Sequence, residues 1–374
     1  MTIAEMTPTG ALAKHAVEAV RVAGAPSRDA IPLGVPAALT ERWDLAGAFQ
    51  VRTLHVVRAA GHVRGVAFTV HRPLAAYEKV AGWWLADAEA APELLATVVE
   101  HARDAGAVVV KVELDELSVV GAEALVDAAR AAGFADVAAP VGGAPLPRGA
   151  AAPAALALWL DGTPAPTPVP YYRQTTELTC GPVALGMAFA ADGDASLLTR
   201  RAELDVYREV NTVVGSDPFG LAVGAVARGR RPRVLISTPD PILLECVPAA
   251  WDRDTRAFIQ RDFRDRALAA GLEVETRNFA VAEVVAHVAA GGTALVLIDQ
   301  HPMHAEPCPH WITLHAVRGD VVVAHDPWTD AHLGESWLDA DDLPLPVETL
   351  DTIAAWGEPA YRAALLFDRT GQEA

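Results

Sequence analysis

Residues 169–190 read VPYYRQTTELTCGPVALGMAFA. Up to Thr179 this is a polar loop, and from Cys180 onward Val183, Leu185, Met187 and Phe189 enter an apolar helix. Gly181-Pro182 marks the helix start, because a proline in the first turn forfeits no hydrogen bond. Cys180 therefore stands at a helix N-terminus, where unpaired N–H groups and the positive end of the dipole favour a thiolate. That makes it a candidate nucleophile. Taken alone, the cysteine is better read as a small packed hydrophobe, so the case rests on its surroundings.

Six residues upstream lies Gln174, whose amide, with the Cys180 backbone N–H, can hold a developing oxyanion. Downstream, Pro309-His310-Trp311-Ile312-Thr313-Leu314-His315-Ala316-Val317 has the pattern of a strand. Alternation puts His310, Ile312, Leu314 and Ala316 on one face and Trp311, Thr313, His315 and Val317 on the other, so the two histidines serve different sites. His310, at the strand's beginning and on its more apolar face, is expected to reach Cys180 as the general base, with His315 structural on the opposite face.

Asp326, in Val323-Ala324-His325-Asp326-Pro327-Trp328, is the candidate for orienting the imidazole. A two-residue turn at Gly319-Asp320 would set Asp326 opposite Thr313, on the wrong side, and turn His325 inward. A three-residue turn over Arg318, Gly319 and Asp320, or an equivalent bulge, sets it opposite Ile312 and diagonal to His310. The longer turn or the bulge is expected.

His301, His304, Glu306, Cys308 and His310 place five potential metal ligands in ten residues. Their spacing fits no standard zinc module and the proline-rich loop lacks helical alignment, so no metal is expected and the loop is read as a rim of the site. Cys246 has no nearby histidine and is expected to be packed; Cys308 adjoins the site without a helix N-terminus.

The chain has 374 residues, long enough for two cores. Between 141 and 170 the segment VGGAPLPRGAAAPAALALWLDGTPAPTPVP breaks helices, which divides the chain into 1–162 and 163–374. The first part reads as strands at 49–57, 63–71 and 80–85, a helix at 93–105, a strand at 108–112, a helix at 122–132, and strands at 135–139 and 155–160. The second reads as helices at 180–190, 197–210, 220–228 and 255–270, with strands at 233–237, 294–298, 310–317 and 321–325. The fold class is α+β.

With a formal net charge of -18 the surface repels nucleic acid and anionic lipid. The cluster Arg228, Arg230, Arg231 and Arg233 reads as a solvated loop. No run reaches the ~18 apolar residues of a membrane span, and the first residues lack an export signal. Three cysteines build no disulfide framework, which points to a reducing, cytoplasmic setting.

The first part, over about residues 10–160, resembles the GNAT N-acetyltransferase fold in its layout. Enzymes of that fold hold an acyl-CoA pyrophosphate at a helix N-terminus, yet residues 86–92 here read ADAEAAP, with two carboxylates and no glycine. A non-catalytic GNAT-like domain is expected. Gln174, Thr179-Cys180-Gly181-Pro182, His310-Trp311-Ile312 and Asp326-Pro327 together resemble peptidase family C39 and its C39-like relatives over about residues 168–345. The resemblance implies a papain-like cysteine peptidase fold, with Cys180 as nucleophile, His310 as base and later acid, Asp326 as its orienting partner and Gln174 in the oxyanion hole. C39-like domains fused behind a GNAT-like domain also occur. Residues 239–265 look like an insertion particular to this chain.

The expected function is that of a cysteine-dependent hydrolase, a peptidase or amidase, needing no cofactor and acting on a peptide or an amide-containing small molecule. One alternative is acyl transfer to an amine, from a carrier-bound donor among others; a dry pocket lined by Trp311, Trp328 and Trp251 would favour it. Another is a non-catalytic binding module, against which the retained polar residues argue. Acetyl transfer by the first part is disfavoured by its acidic loop.

Overall fold

The computed structural model describes residues 18–23, 31–32, 34–45, 49–114, 122–142, 154–211, 215–247, 249–304 and 307–369. Residues 1–17, most of the segment read for an export signal, and Glu306 lie outside them.

Chain order in the first part is β1 (Glu18–Ala23), α1 (Ala37–Leu45), β2 (Val51–Ala59), β3 (His62–His71), β4 (Tyr77–Leu85), α2 (Ala91–Asp104), β5 (Val109–Leu114), α3 (Ala122–Ala131), β6 (Ala135–Val137) and β7 (Ala154–Trp159). The strands form one sheet in the order β1-β2-β3-β4-β5-β7-β6. It is antiparallel except where β5 runs parallel to β4. α2 forms because Leu94, Leu95, Val98, Val99 and Ala102 recur at helical spacing and bury one stripe. It stops before Gly106, whose φ of +79° is the left-handed geometry that ends helices. The expected GNAT-like layout of meander, helix, strand, helix, strand is present.

The second part runs α4 (Cys180–Ala190), α5 (Arg200–Val210), α6 (Pro218–Val226), β8 (Arg233–Ile236), α7 (Ala250–Ala269), β9 (Val274–Thr276), α8 (Val281–Ala289), β10 (Thr293–Asp299), β11 (Pro309–Arg318), β12 (Val321–His325), α9 (Trp337–Ala340), β13 (Leu343–Pro346), α10 (Val347–Ile353) and β14 (Ala363–Phe367). Its sheet has the order β13-β12-β11-β10-β14-β8-β9. It is antiparallel save for the β8–β9 pair. The papain-like order of helices before sheet holds for α4, α5 and α6, while α7 and α8 come between strands. α5 starts later than the sequence pattern suggests because Thr199 caps it, accepting from the Ala202 N–H at 3.2 Å. β14 was not anticipated: Ala363-Ala364-Leu365-Leu366-Phe367 is a short apolar run with no alternation, since both its faces are buried at the sheet centre.

One face of this sheet, with Leu295, Leu297, Trp311 and Leu365, packs under α4, α5, α6 and α7. The other, with Val296, Ile312 and Leu314, packs on α8 and α10 and also meets Tyr77, Val109 and Trp159 of the first part. Every residue of α4 is buried. A helix that is apolar all round belongs at the centre of a domain, which fixes where Cys180 lies.

Charge complementarity accompanies this apolar contact. Arg72, Lys79 and Lys111 come from the first part, and the carboxylates of Asp326, Glu335 and Asp339 from the second. Lys79 Nζ contacts Asp339 Oδ2 and Ser336 Oγ, and Lys111 Nζ donates to the Leu338 carbonyl at 2.8 Å. Asp339 also accepts from Tyr77 Oη at 2.8 Å. Removing one member of such a pair strands a buried charge, which costs about 3–5 kcal/mol. Lys79→Met is expected to lose about that much unfolding free energy in urea titration; an unchanged midpoint would show that the pair contributes nothing.

Candidate active site

Cys180 is brought to its place by the loop before α4 and by α4 itself. The loop is tied down by the buried Glu203 of α5, which accepts from Thr175 N at 2.7 Å, Thr175 Oγ1 at 2.8 Å, Tyr172 Oη at 3.1 Å and, closely, Thr179 Oγ1. Glu203 was not singled out from the sequence, where it is one acid among many on a polar helix face. Gly181 is required for space: a Cβ there would lie 2.7 Å from Ser216 Cβ and Oγ and 3.1 Å from Leu221 Cδ2.

The hairpin of β11 and β12 decides the question of Asp326. The turn is the short one, Gly319-Asp320, with Arg318 opposite Val321. The register then shifts between Leu314 and Ala316, leaving His315 in a bulge, so that Leu314 faces Ala324 and Thr313 faces His325. Continued one step, this register sets Asp326 across from Ile312 and diagonal to His310. The short turn on its own would have excluded Asp326; the bulge restores it.

His310 Nε2 donates to Asp326 Oδ1 at 2.7 Å. The remaining nitrogen, Nδ1, is left for Cys180, which lies near enough to His310 for each to shift the other's pKa. Face alternation predicted the approach incorrectly. Thr313 and Trp311, not His310, point at the helix side: Thr313 Oγ1 donates to the Ala184 carbonyl at 2.8 Å and Trp311 Nε1 to the Ser216 carbonyl at 2.9 Å. Ile312 and Leu314 face α8. His310 nonetheless meets Cys180 because β12 pairs with β11 only as far as Thr313, which leaves the edge of the first β11 residues free. The Trp311 backbone N–H on that edge helps to stabilise the Cys180 thiolate. The contact is made sideways off the strand end, where alternation between faces no longer governs.

All three groups are buried, at 8% exposure or less. Burial alone would lower the His310 pKa, but the Asp326 charge and hydrogen bond, and then Cys180, push it up to about 10. Burial would raise the Cys180 thiol, and the His310 contact with the Trp311 and Gly181 N–H groups brings it below its ordinary value. Asp326 is held far below the usual carboxylate range: its burial is outweighed by His310 and Arg72. The arrangement stabilises the imidazolium and shifts the thiol toward its thiolate.

Asp326 has further partners that the sequence did not suggest. Oδ1 also accepts from Trp328 N at 2.7 Å, and Oδ2 from Arg72 Nη1 at 2.6 Å. Tyr171 Oη donates to its carbonyl at 3.0 Å. Gln174 is buried and lies against the same segment through its main-chain N–H to the Pro327 carbonyl at 2.9 Å. Its Nε2 donates to the Thr176 carbonyl at 2.7 Å, which engages one of the two amide hydrogens.

The rim loop does not gather its ligands among the described residues: His301 and Cys308 are exposed while His304 is buried beside Asp326. The ligand-type side chains that do converge are His315, His325 and Asp342. His325 is committed to the backbone there, with Nε2 at 3.0 Å from the Val169 carbonyl and Nδ1 accepting from Asp342 N at 3.1 Å. His315 pairs with Asp342 at 3.1 Å. Two expectations are corrected. Cys246 is exposed rather than packed, because the turn from Leu244 to Cys246 lies on the surface. Trp251 is 73% exposed and lines no dry pocket, since it sits in the first turn of α7 facing outward.

Gly181→Ala is expected to cost about 1–3 kcal/mol through overpacking and to slow alkylation of Cys180. Adding Ser216→Gly should recover part of both, as read by urea unfolding and by peptide mass after iodoacetamide; no recovery would mean the strain lies elsewhere.

No curated protein matches the chain. A solved structure from Bacillus anthracis, described as a C39-like peptidase, is 12% identical over 55% of this chain and 96% of that chain, with a TM-score of 0.30. YncA from Salmonella typhimurium, described as an acetyltransferase and solved with its cofactor acetyl-CoA, is 19% identical over 35% of this chain and 75% of that chain, with a TM-score of 0.23. The sequence profile of the Peptidase_C39 like family matches residues 169–368, more than half of the chain and the span holding Gln174, Cys180, His310 and Asp326, so the chain belongs to that family and has its cysteine peptidase-type fold.

Proposed function

We propose that this protein is a cysteine-dependent hydrolase that cleaves a peptide or amide bond through an acyl-enzyme on Cys180. The observation that carries the proposal is the buried chain from Cys180 through His310 to Asp326, with 2.7 Å between the last two. In this reading the Cys180 thiolate attacks the carbonyl carbon, and the carbonyl electrons move to oxygen. The oxyanion is met by the Cys180 backbone N–H and by the free hydrogen of the Gln174 amide. As the C–N bond breaks, the amine takes its proton from His310, leaving a thioester. Water then attacks with His310 as base, and the acid leaves as the thiolate returns.

The same residues would pass the acyl group to an amine if water were excluded. The outward position of Trp251 removes the lid that would favour this, so hydrolysis is preferred. We assign catalysis to 163–374 and treat 1–162 as a GNAT-like part without acyl-CoA chemistry. Asp87 and Glu89 stand before α2, and Asp87 is already paired with Arg64 at 2.5 Å. Three free cysteines suit a reducing compartment such as the cytoplasm. Among the described residues no helix is long and apolar enough to cross a membrane.

Iodoacetamide is expected to modify Cys180 first, at a pH below the ordinary thiol range, and His310→Ala is expected to abolish that selectivity. Labelling confined to Cys246 or Cys308 would sink the proposal. With an amide substrate, His310→Ala should lose about 10²-fold or more in turnover. A pH effect on stability follows as well. The folded state binds the His310 proton more tightly than the unfolded chain, so the stability His310 supplies is complete below pH 6.5 and is lost as pH rises to about 10. The gap in urea midpoint between the wild type and His310→Ala should narrow over that interval; a gap that widens would reverse the assignment.

A further inference from the structure

The carboxylate that orients His310 receives its other support from outside the family-matched span. Arg72 follows β3 in the first part, 254 residues before Asp326. Its guanidinium is fully buried and spends its donors in three directions: Nη1 to Asp326 Oδ2 at 2.6 Å, Nε and Nη2 to the two oxygens of Glu335 at 2.7 and 3.0 Å, and Nη2 to the Trp328 carbonyl at 2.9 Å. Resting on the triad reading above, we propose that Arg72 is a positioning residue for Asp326, so that the two parts of the chain form a single catalytic unit.

The argument begins with what Asp326 must do. It has to stay ionised in a dry site and keep one oxygen aimed at His310. His310 and the Trp328 N–H both use Oδ1, so a carboxylate without a partner at Oδ2 would be free to turn about its Cβ–Cγ bond. Among the described residues His304 also lies near Oδ2, at 4.0 Å, and burial with the nearby Arg72 charge pushes it down to about 3, so it carries no compensating charge at neutral pH. Glu335 brings a second buried carboxylate beside the first, and Arg72 stands between them. Take Arg72 away and two carboxylates share one dry site, of which one will take a proton. If Asp326 takes it, His310 loses its counter-charge and Cys180 its imidazolium partner. Tyr77, Tyr171 and Asp339 complete the surrounding polar groups, with Tyr77 Oη bound to Asp339 and Tyr171 Oη to the Asp326 carbonyl.

Arg72 is itself held in register by both parts. Its main-chain N–H donates to Tyr77 Oη at 3.1 Å. The loop that follows is pinned by Ala76 N to the Pro344 carbonyl at 2.9 Å and by Thr349 Oγ1 to the Leu74 carbonyl at 3.3 Å. The fork geometry of a guanidinium matches this task, and a lysine ammonium cannot serve both carboxylates in the same way.

The test is the pH profile of Cys180 alkylation by iodoacetamide in the full chain. Arg72→Met/Glu335→Gln removes both charges of the buried pair together, which preserves the fold better than removing one. Its acid limb is expected to move up by about one pH unit, so that alkylation on the acid side is about tenfold slower. Glu335→Gln alone keeps the Arg72–Asp326 contact and is expected to leave the limb in place; a shift as large as the double variant's would assign the effect to charge balance and overturn the proposal. Arg72→Lys is read in the same way and is expected to show part of the shift. A profile superposable on the wild type's, in whichever Arg72 variant folds by circular dichroism, overturns the inference. The two readings fail separately: a wild-type Cys180 whose alkylation is independent of His310 refutes the triad, whereas a normal wild-type profile unchanged by loss of Arg72 refutes only the role given to Arg72.

Discussion

Asp326 is a carboxylate with no access to water, and much of the surrounding structure follows from keeping it charged. A buried ion is tolerated only when its charge is matched and its lone pairs are filled. Here His310, the Trp328 N–H and Arg72 fill them, and each comes from a different segment. The bulge at His315 brings Asp326 into range of His310, the short loop to Trp328 curls back on its own carboxylate, and the end of β3 supplies the cation.

The same constraint explains why the two sheets meet as they do. Apolar contact through Tyr77, Val109 and Trp159 would by itself tolerate sliding. Arg72, Lys79 and Lys111 do not, because each must find its own acid or carbonyl partner at hydrogen-bond distance once water is excluded. Buried charge thus sets the register between the parts, and the hydrophobic surface supplies the contact area.

On the other side of the site, Cys180 depends on burial of α4. Its sulfur would be a weak acid in that environment were it not for the His310 imidazolium and the Trp311 and Gly181 N–H groups. A helix start, a strand edge left free by the short reach of β12, and a glycine pressed against Ser216 converge on one atom. The meeting of Cys180 and His310 is therefore a product of packing as much as of residue type.

What the sequence by itself determined is local. Cys180 at a helix start, a strand at His310, most elements of both sheets and the candidates Cys180, His310 and Asp326 that the fold brings near one another were legible, because apolar periodicity, proline and glycine placement and short motifs are properties of neighbouring residues. The tertiary structure decided the rest. The bulge at His315 that sets Asp326 across from Ile312 is announced by no turn motif. The sideways meeting of His310 and Cys180 depends on where β12 stops. Glu203, Glu335 and above all Arg72 are ordinary polar residues in sequence, and only long-range folding, which brings charges hundreds of residues apart into one dry volume, gives them a part in the site.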